Sequence, residues 1–155
     1  MKINFIKTGI EYIETLVDLR MEFIKDIHPE YDNVLIKKIH DSIIKYFKEL
    51  FNNNTYIGFI GINADNEIIC TAGLLIYFLP PLNTGSYRKI GHVLNFYTKP
   101  GYKKGYGMKL MDYIKKVAKE EGINRLVLNA TKMGYSLYKK AGFIEPEDKA
   151  MILNL

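Results

Sequence analysis

The sequence predicts a single α/β domain built around a mixed β-sheet, and three observations support this prediction. The chain has 155 residues, a length that suits one domain with one core. Segments with strand periodicity alternate along it with segments of helical periodicity. No repeat, linker or low-complexity stretch interrupts the sequence, so we expect one domain over residues 1–155.

Two helices are predicted close to the N-terminus, after a short strand at residues 3–7. The first helix begins after Gly9, with apolar residues along one face. It should end just before Pro29, because the residue that precedes a proline avoids helical geometry. The second helix begins near Asp32, and the run of asparagines at 52–54 ends it.

Three strands are predicted in the middle of the chain. Residues 55–62 and 67–79 have strand composition and flank a short polar turn, which is typical of a β-hairpin. Within the second of these strands, Gly73 indicates a bulge or a close approach of another group. A proline-containing loop at 80–86 then leads into a strand at 89–98.

The last third of the chain is predicted to contain two helices and three short strands. An amphipathic helix follows the glycine-rich turn at 101–107 and should end at Gly122, since glycine is the preferred helix terminator. The remaining elements are a strand at 125–130, a helix at 134–141 and terminal strands at 143–145 and 150–153. The complete predicted order is β-α-α-β-β-β-α-β-α-β-β.

The composition restricts the setting of the protein. Cys70 is the only cysteine, so the chain can form no disulfide of its own, and a reducing, cytoplasmic location is predicted. Cys70 lies in an apolar strand without a nearby histidine, which favours a core position over a role as nucleophile. The three histidines lack metal-ligand spacing, so no metal is expected. No apolar run is long enough to span a membrane, and no signal-peptide pattern is present.

The net charge of +5 is concentrated in one segment. Residues 99–119 contain seven lysines and one acidic residue, Asp112. This concentration suits a phosphorylated ligand, although a solvated helix face would have the same composition. A nucleic-acid partner is the weaker interpretation, because the sequence contains no helix-turn-helix, zinc-finger or aromatic RNA-binding motif.

The segment from 92 to 118 is predicted to fold as strand, glycine turn and helix. A helix N-terminus has unpaired backbone N–H groups and a partial positive charge, and glycines allow close approach of a ligand. Gly105 and Gly107 therefore indicate a pyrophosphate site. The spacing fits neither a P-loop, because Met108 follows Gly107, nor the Gly-x-Gly-x2-Gly dinucleotide fingerprint.

The run at 94–111, Leu-Asn-Phe-Tyr-Thr-Lys-Pro-Gly-Tyr-Lys-Lys-Gly-Tyr-Gly-Met-Lys-Leu-Met, resembles the acetyl-CoA-binding motif of the GNAT acetyltransferase superfamily. That motif is a strand, then Gln/Arg-x-x-Gly-x-Gly/Ala, then a helix. Downstream, the run Leu-Tyr-Lys-Lys-Ala-Gly-Phe at 137–143 resembles the family's Leu-Tyr-x3-Gly-Phe signature. The element order also fits over nearly the whole chain. One departure is that Tyr102 stands at the Gln/Arg position, where Lys103 or Lys104 could substitute.

The resemblance implies an acetyl-CoA-dependent N-acetyltransferase. In the family the strand before the glycine turn splays from its neighbour, and the pantetheine arm of the coenzyme fills the gap. Tyr138 occupies the position of the family's general acid, which protonates the departing thiolate. The residues implied in coenzyme binding are Phe96, Tyr97 and Thr98 on the strand, followed by Lys103, Lys104, Gly105, Tyr106, Gly107 and Met108.

The acceptor and the general base stay open at this level. The acceptor is expected to be a small-molecule or peptide amine, and the loop at 80–86 is expected to border its site. The base could be His92, Glu22, Asp26 or a water molecule, and Glu30 is a further candidate for the acceptor pocket. Family members are often dimers, but no segment identifies an interface. The main alternative function is a catalytically silent CoA-binding or regulatory module.

Overall fold

The computed structural model describes residues 3–81, 88–102, 105–147 and 150–155. The regular elements of this part of the chain follow one another in an α/β order. They are β1 (Asn4–Thr8), a 3-10 turn (Ile10–Tyr12), α1 (Ile13–Ile27), α2 (Asn33–Asn52), β2 (Tyr56–Ile62), β3 (Ile68–Leu79), β4 (Arg88–Thr98), α3 (Tyr106–Glu120), β5 (Arg125–Val127) and α4 (Tyr135–Lys140).

The strands form one mixed sheet in the order β1-β2-β3-β4-β5. Neighbours from β1 to β4 are antiparallel, and only the β4–β5 pair is parallel. This arrangement confirms the predicted fold class. The parallel pair needs a long crossover, which α3 supplies by crossing one face of the sheet between the two strands.

The sheet carries an apolar cluster on each face. Phe59 and Ile60 are both fully buried although they are adjacent on β2, because successive strand residues point to opposite faces. Phe59 belongs to the cluster beneath α3, whereas Ile60 belongs to the cluster beneath α1 and α2. The central strands are therefore buried on both faces, and the helices are held against them by apolar packing.

The predicted helix boundaries agree with the structure to within a few residues. Helix α1 ends at Ile27, two residues before Pro29, as the proline required. Helix α2 begins after Asp32, whose side chain accepts a hydrogen bond of 2.8 Å from the backbone N–H of Leu35.

Within the described ranges, no helix has both the length and the apolar character needed to cross a bilayer.

The predicted strands at 143–145 and 150–153 were wrong. The chain has no regular structure there, and β5 ends at Val127 rather than at residue 130. Most side chains in these segments remain in solvent, with Ile144 84% exposed and Ile152 89% exposed, whereas Phe143 packs against the ring of Tyr138. A short apolar segment becomes a strand only where a neighbouring strand pairs with its backbone, and these residues have no such neighbour among the described strands.

Cys70 is buried in β3, as predicted, and burial raises the pKa of its thiol to about 12. A thiol that is both inaccessible and protonated reacts slowly with alkylating reagents. We therefore expect iodoacetamide at pH 8 to modify the native protein at least roughly 100-fold more slowly than the protein in denaturant. Mass spectrometry over time would measure both rates, and equal rates would contradict the buried position.

Candidate functional site

The edge of β4 is open over its second half. Strand β5 pairs with β4 only at Ile90, Gly91 and His92. From Val93 to Thr98, no described strand pairs with this edge of β4. Its backbone N–H and C=O groups are therefore free to pair with an extended ligand, as in strand addition.

A bulge in β4 lies at the start of this open edge. The β3–β4 register shifts between Thr71 and Gly73, and Asn95 has a φ of 54°. The Asn95 amide donates a hydrogen bond of 3.1 Å to the hydroxyl of Tyr56, on the face that α1 and α2 cover. Phe96, next along the strand, packs instead into the cluster beneath α3. The bulge thus puts two consecutive side chains, Leu94 and Asn95, on the same face of the sheet, and Phe96 returns to the opposite face.

The turn after β4 is built from Pro100 and Gly101. Gly101 has a φ of 87°, and the N–H of Tyr102 donates to the carbonyl of Lys99 at 3.1 Å, as in a type II turn. The Tyr102 hydroxyl donates to Glu67 at 2.8 Å, so this side chain is held on the β2–β3 turn. The position that departs from the family motif thus has a structural partner. Lys103 and Lys104 lie outside the described residues.

Helix α3 starts beside this turn with an uncapped N-terminus. Gly105 is the N-cap residue, with a φ of 80° and no side-chain hydrogen bond, and the first turn contains no acidic residue. The N–H groups of Tyr106, Gly107 and Met108 have no partner within the helix. The helical hydrogen bonds begin only with the N–H of Lys109, which donates to the carbonyl of Gly105. A Cβ at Gly105 would meet no atom of the described residues within 4 Å, so the N-cap position faces open space.

Gly107 also has a packing contact that the sequence did not indicate. A Cβ at this position would lie 2.8 Å from Cδ1 of Leu137 on α4 and 3.5 Å from the Phe96 ring. Gly107 is buried and faces the protein interior. Its small size lets α4 pack closely against α3, whereas Gly105 is the glycine that faces open space.

Tyr138 lies on α4 and faces the open half of β4. Its ring packs edge-on against Phe96, with 5.8 Å between the ring centroids, and against Phe143 at 6.0 Å. Burial raises the pKa of the Tyr138 hydroxyl, which therefore stays protonated at neutral pH. This hydroxyl has no hydrogen-bond partner among the described side chains, so its proton is available to a ligand.

The other face of the β4 bulge is covered by the C-terminal half of α1. The rings of Phe23 and Tyr97 are 5.3 Å apart, and the Tyr97 hydroxyl donates to Asp26. Burial, together with the hydrogen bond to Asp26, raises the pKa of Tyr97. Lys99 and Glu22 form an ion pair at 3.1 Å. Glu22 and Asp26, two of the candidates for the general base, thus lie above β4.

The remaining candidates, His92 for the general base and Glu30 for the acceptor pocket, lie apart from Glu22 and Asp26. His92 is paired with Leu75 across the β3–β4 ladder and shares its face, the one that α1 and α2 cover. Glu30 is exposed and bonds to His28 at 3.0 Å. The loop at 82–87 is outside the described residues, so its predicted position at the acceptor site stays a prediction. No group of three potential metal ligands occurs within the described ranges.

Sequence reasoning missed two side chains near the bulge, Arg20 and Tyr56. Both line a narrow pocket between α1, α2 and the sheet, together with Asn95 and Tyr97. Arg20 follows Leu16 by four residues on the apolar side of α1, so a charged residue at a core-facing position was the available signal. Tyr56 gave no comparable signal, since it is one of twelve tyrosines.

An open β4 edge that leads to an uncapped helix N-terminus indicates a class of protein that binds an extended ligand with an anionic end. The model of the acetyltransferase (GNAT) family matches residues 13–143, and the chain belongs to this family.

Solved structures agree with that assignment. A predicted acetyltransferase from Clostridium acetobutylicum, determined with acetyl-CoA, is 27% identical with a TM-score of 0.80, over 98% of this chain and 96% of that one. A GCN5-related N-acetyltransferase from Ralstonia eutropha JMP134 is 21% identical with a TM-score of 0.77, over 98% and 99%. AAC(6')-Iy, in complex with the bisubstrate analogue CoA-S-monomethyl-acetylneamine, is 14% identical with a TM-score of 0.73, over 100% and 99%. The search of curated proteins gave no match.

Proposed function

We propose that this protein transfers an acetyl group from acetyl-CoA to a primary amine of a small-molecule or peptide acceptor. One observation carries the proposal: the open edge of β4 runs from the bulge at Asn95 towards the N-terminus of α3, with Tyr138 packed beside it. An extended arm with amide groups, ending in a pyrophosphate, would find complementary groups along this whole path.

The described residues fit the coenzyme on two counts. The free backbone groups from Val93 to Thr98 suit the amides of the pantetheine arm. The backbone amides of Tyr106, Gly107 and Met108 lie at the N-terminus of α3. No side chain caps this end of the helix and no acidic residue offsets its partial positive charge, which suits a pyrophosphate. Together with Lys103 and Lys104, these residues form the proposed coenzyme site. Acetyl-CoA supplies the activated thioester, and no metal takes part in the proposed reaction.

Reaction proceeds by direct attack within a complex of all three components. The acceptor nitrogen bonds to the thioester carbonyl carbon, a backbone N–H of β4 stabilises the oxyanion, and the carbon–sulfur bond then breaks. Tyr138 gives its proton to the departing sulfur and regains one from the acceptor nitrogen, which carries a surplus proton after the attack. This role suits a protonated hydroxyl with no other partner among the described residues. Cys70 takes no part, because its thiol is buried in the core.

The acceptor amine must lose a proton before it can attack. Glu22, Asp26 and His92 all lie on the α1 and α2 face of β4, so they, or a water molecule held by them, are the candidates for this step. We propose the cytoplasm as the location, since a lone cysteine suits a reducing compartment. The whole chain, 1–155, acts as one domain in this proposal.

The pyrophosphate site can be tested at Gly105. Replacing Gly105 with Asp puts a carboxylate at the N-terminus of α3, in open space, where it would repel the pyrophosphate. The matched variant Gly105→Asn has nearly the same size, and both residues tolerate positive φ better than most. We expect acetyl-CoA to bind Gly105→Asp roughly tenfold more weakly than Gly105→Asn, a difference of about 1.4 kcal/mol. Isothermal titration calorimetry measures both affinities, and equal affinities would place the pyrophosphate elsewhere.

The reaction itself can be tested with a panel of primary amines and acetyl-CoA. Release of the CoA thiol, matched by an acetylated amine in mass spectrometry, is the expected result. Binding of acetyl-CoA without transfer to any amine of the panel would favour the alternative, a silent CoA-binding or regulatory module. Absence of acetyl-CoA binding would overturn the proposal.

A further inference from the structure

Asn95 is unusual for a residue within a β-strand, because its backbone φ is positive. In the described part of the chain, the residues other than glycine with a positive φ are three asparagines. Asn54 and Asn66 lie in turns, whereas Asn95, with a φ of 54°, lies inside β4. A backbone in this region is strained for an L-amino acid and persists only where its surroundings hold it. We therefore expect a neighbouring group to fix Asn95.

The strained residue belongs to the bulge in β4. The β3–β4 register sets two residues of β4, Asn95 and Phe96, against the single residue Ala72 of β3. This two-against-one arrangement interrupts the regular ladder of hydrogen bonds. The direction of the peptide groups on either side of Asn95 therefore depends on the conformation of Asn95 itself.

The group that holds Asn95 is the hydroxyl of Tyr56, which lies two strands away. From β2 the Tyr56 side chain passes over Gly73 of β3, and its hydroxyl accepts a hydrogen bond of 3.1 Å from the Asn95 side-chain amide. Gly73 makes this path possible, since a Cβ there would lie 1.8 Å from the hydroxyl oxygen. Tyr56 thus connects β2 with the bulge in β4 across the intervening strand.

Tyr56 is itself held firmly. It is only 5% exposed, and its ring lies between Phe47 and Phe51, with 5.3 Å between the ring centroids in each case. Burial raises the pKa of the Tyr56 hydroxyl, which stays neutral. Burying a hydroxyl in an apolar cluster is unfavourable, and a phenylalanine would avoid that cost. Among the described residues only Asn95 bonds to this hydroxyl, so the bond to Asn95 is what offsets the cost.

The place of this contact matters for the proposed reaction. The open edge of β4 runs from Val93 to Thr98, so the bulge lies within it. The proposed mechanism uses a backbone N–H of β4 to stabilise the oxyanion. Such a donor contributes only when it points at the developing charge, because a hydrogen bond weakens steeply with misalignment. A rotation at Asn95 would turn the neighbouring peptide groups away from the thioester.

We propose that Tyr56 is a positioning residue for acetyl transfer. Through its hydrogen bond to Asn95 it holds the bulge, and it thereby directs the backbone N–H groups of β4 towards the carbonyl oxygen of the thioester. Tyr56 acts through Asn95 and does not touch the reacting atoms. This inference rests on the proposed function, since it concerns the geometry of that same site. The expected loss lies in the chemical step, because the pyrophosphate site at the N-terminus of α3 is separate from the bulge.

The first test is the kinetics of Tyr56→Phe, which removes the hydroxyl and keeps the ring. With acetyl-CoA and a good amine acceptor, we expect kcat to fall by roughly 10- to 100-fold, the effect of a misplaced catalytic group. The Kd of acetyl-CoA, measured by calorimetry, should change by less than about threefold, because the lost interaction acts mainly in the transition state.

The matched control is Val17→Ala. This change opens a cavity in the same apolar cluster and destabilises the protein without removing a hydrogen bond, so kcat should stay near the wild-type value. An unchanged kcat in Tyr56→Phe, or an equal fall in Val17→Ala, would overturn the inference.

Variants of Asn95 test whether Tyr56 acts through this residue. Asn95→Gly loses the amide but adopts a positive φ without strain, whereas Asn95→Ala loses the amide and disfavours that φ. We therefore expect kcat to fall further in Asn95→Ala than in Asn95→Gly. Adding Tyr56→Phe to Asn95→Gly should cause no further loss of kcat, because the hydrogen bond is already absent. Equal losses from Tyr56→Phe in the wild type and in Asn95→Gly would contradict the inference.

NMR of the full chain gives a readout that needs neither coenzyme nor turnover. A positive φ brings the amide proton of a residue close to its own Hα, so the nuclear Overhauser effect between these two protons reports the conformation of Asn95. This signal should be strong in the wild type and in Val17→Ala, and weaker in Tyr56→Phe. A signal that stays strong in Tyr56→Phe would overturn the inference. The expected weakening in a protein that acetylates no amine would support the hold of Tyr56 on the bulge and contradict the proposed function, so the two failures are distinguishable.

Discussion

Replacing Tyr138 with Phe should lower kcat by roughly 100- to 1,000-fold, the usual contribution of a general acid. The change removes one oxygen and keeps the ring, which packs against Phe96 and Phe143. Because the hydroxyl has no partner within the described residues, its removal should leave the fold and the affinity for acetyl-CoA nearly unchanged. Steady-state kinetics with a good amine acceptor, together with calorimetric titration of acetyl-CoA, would separate these two effects.

The matched control for this variant is Tyr135→Phe on the same helix. The Tyr135 hydroxyl is bonded to Glu145 at the surface, away from β4, so its loss should not alter kcat. The pH profile gives a second check. Since burial raises the pKa of Tyr138, the loss of rate that follows deprotonation of the acid should begin only above about pH 10 in the wild type. Tyr138→Phe should lack this limb, and a variant with normal kcat would remove Tyr138 from the mechanism.

The central part of the fold could be predicted from the sequence because each segment there has a strong local pattern. Helix α3, for example, combines an apolar stripe with a glycine at each end, and its boundaries were found almost to the residue. The segments after Gly142 have the same apolar character as true strands, yet Ile152 and Leu153 are exposed. Strand formation depends on a pairing partner, and local composition does not contain that information.

The candidate site likewise has residues that a local motif predicts and residues that only long-range packing brings together. Tyr138 and Gly105 could be proposed from the sequence because they belong to motifs with fixed spacing; the structure packs Tyr138 against Phe96 of β4 and makes Gly105 the N-cap residue of α3. Arg20 and Tyr56 are separated by more than a helix in sequence, and only the packing of α1 across the sheet brings them together. The closeness of Gly107 to Leu137 was also hidden, because the two residues lie on different helices. Contacts between distant segments are the part of a site that a single sequence shows least.

Replacing Gly73 with Ala should destabilise the protein by roughly 1–3 kcal/mol, the usual cost of overpacking a core. A Cβ there would lie 1.8 Å from the Tyr56 hydroxyl oxygen and 2.4 Å from its Cζ. The Tyr56 ring is wedged between Phe47 and Phe51, each with its centroid 5.3 Å away, so it cannot swing aside freely. Thermal unfolding should show a fall in Tm of roughly 2–4 °C per kcal/mol for a domain of this size.

Two comparisons identify the cause of that loss. In Gly91→Ala, on the neighbouring strand, the new Cβ meets the methyl ends of Leu74 and Leu126 at 2.8 and 3.0 Å and Cγ of Leu74 at 3.2 Å. These leucine side chains can adjust by small rotations, so the loss should be clearly smaller. Adding Tyr56→Phe to Gly73→Ala removes the closest contact but leaves the ring carbon Cζ 2.4 Å from the new Cβ, so the losses of the two changes should be less than additive. By itself, Tyr56→Phe should destabilise the protein, because it removes the hydrogen bond to Asn95. A combined loss clearly smaller than the sum of the two single losses is the decisive result: additive losses would mean that contact with Tyr56 is not what destabilises Gly73→Ala.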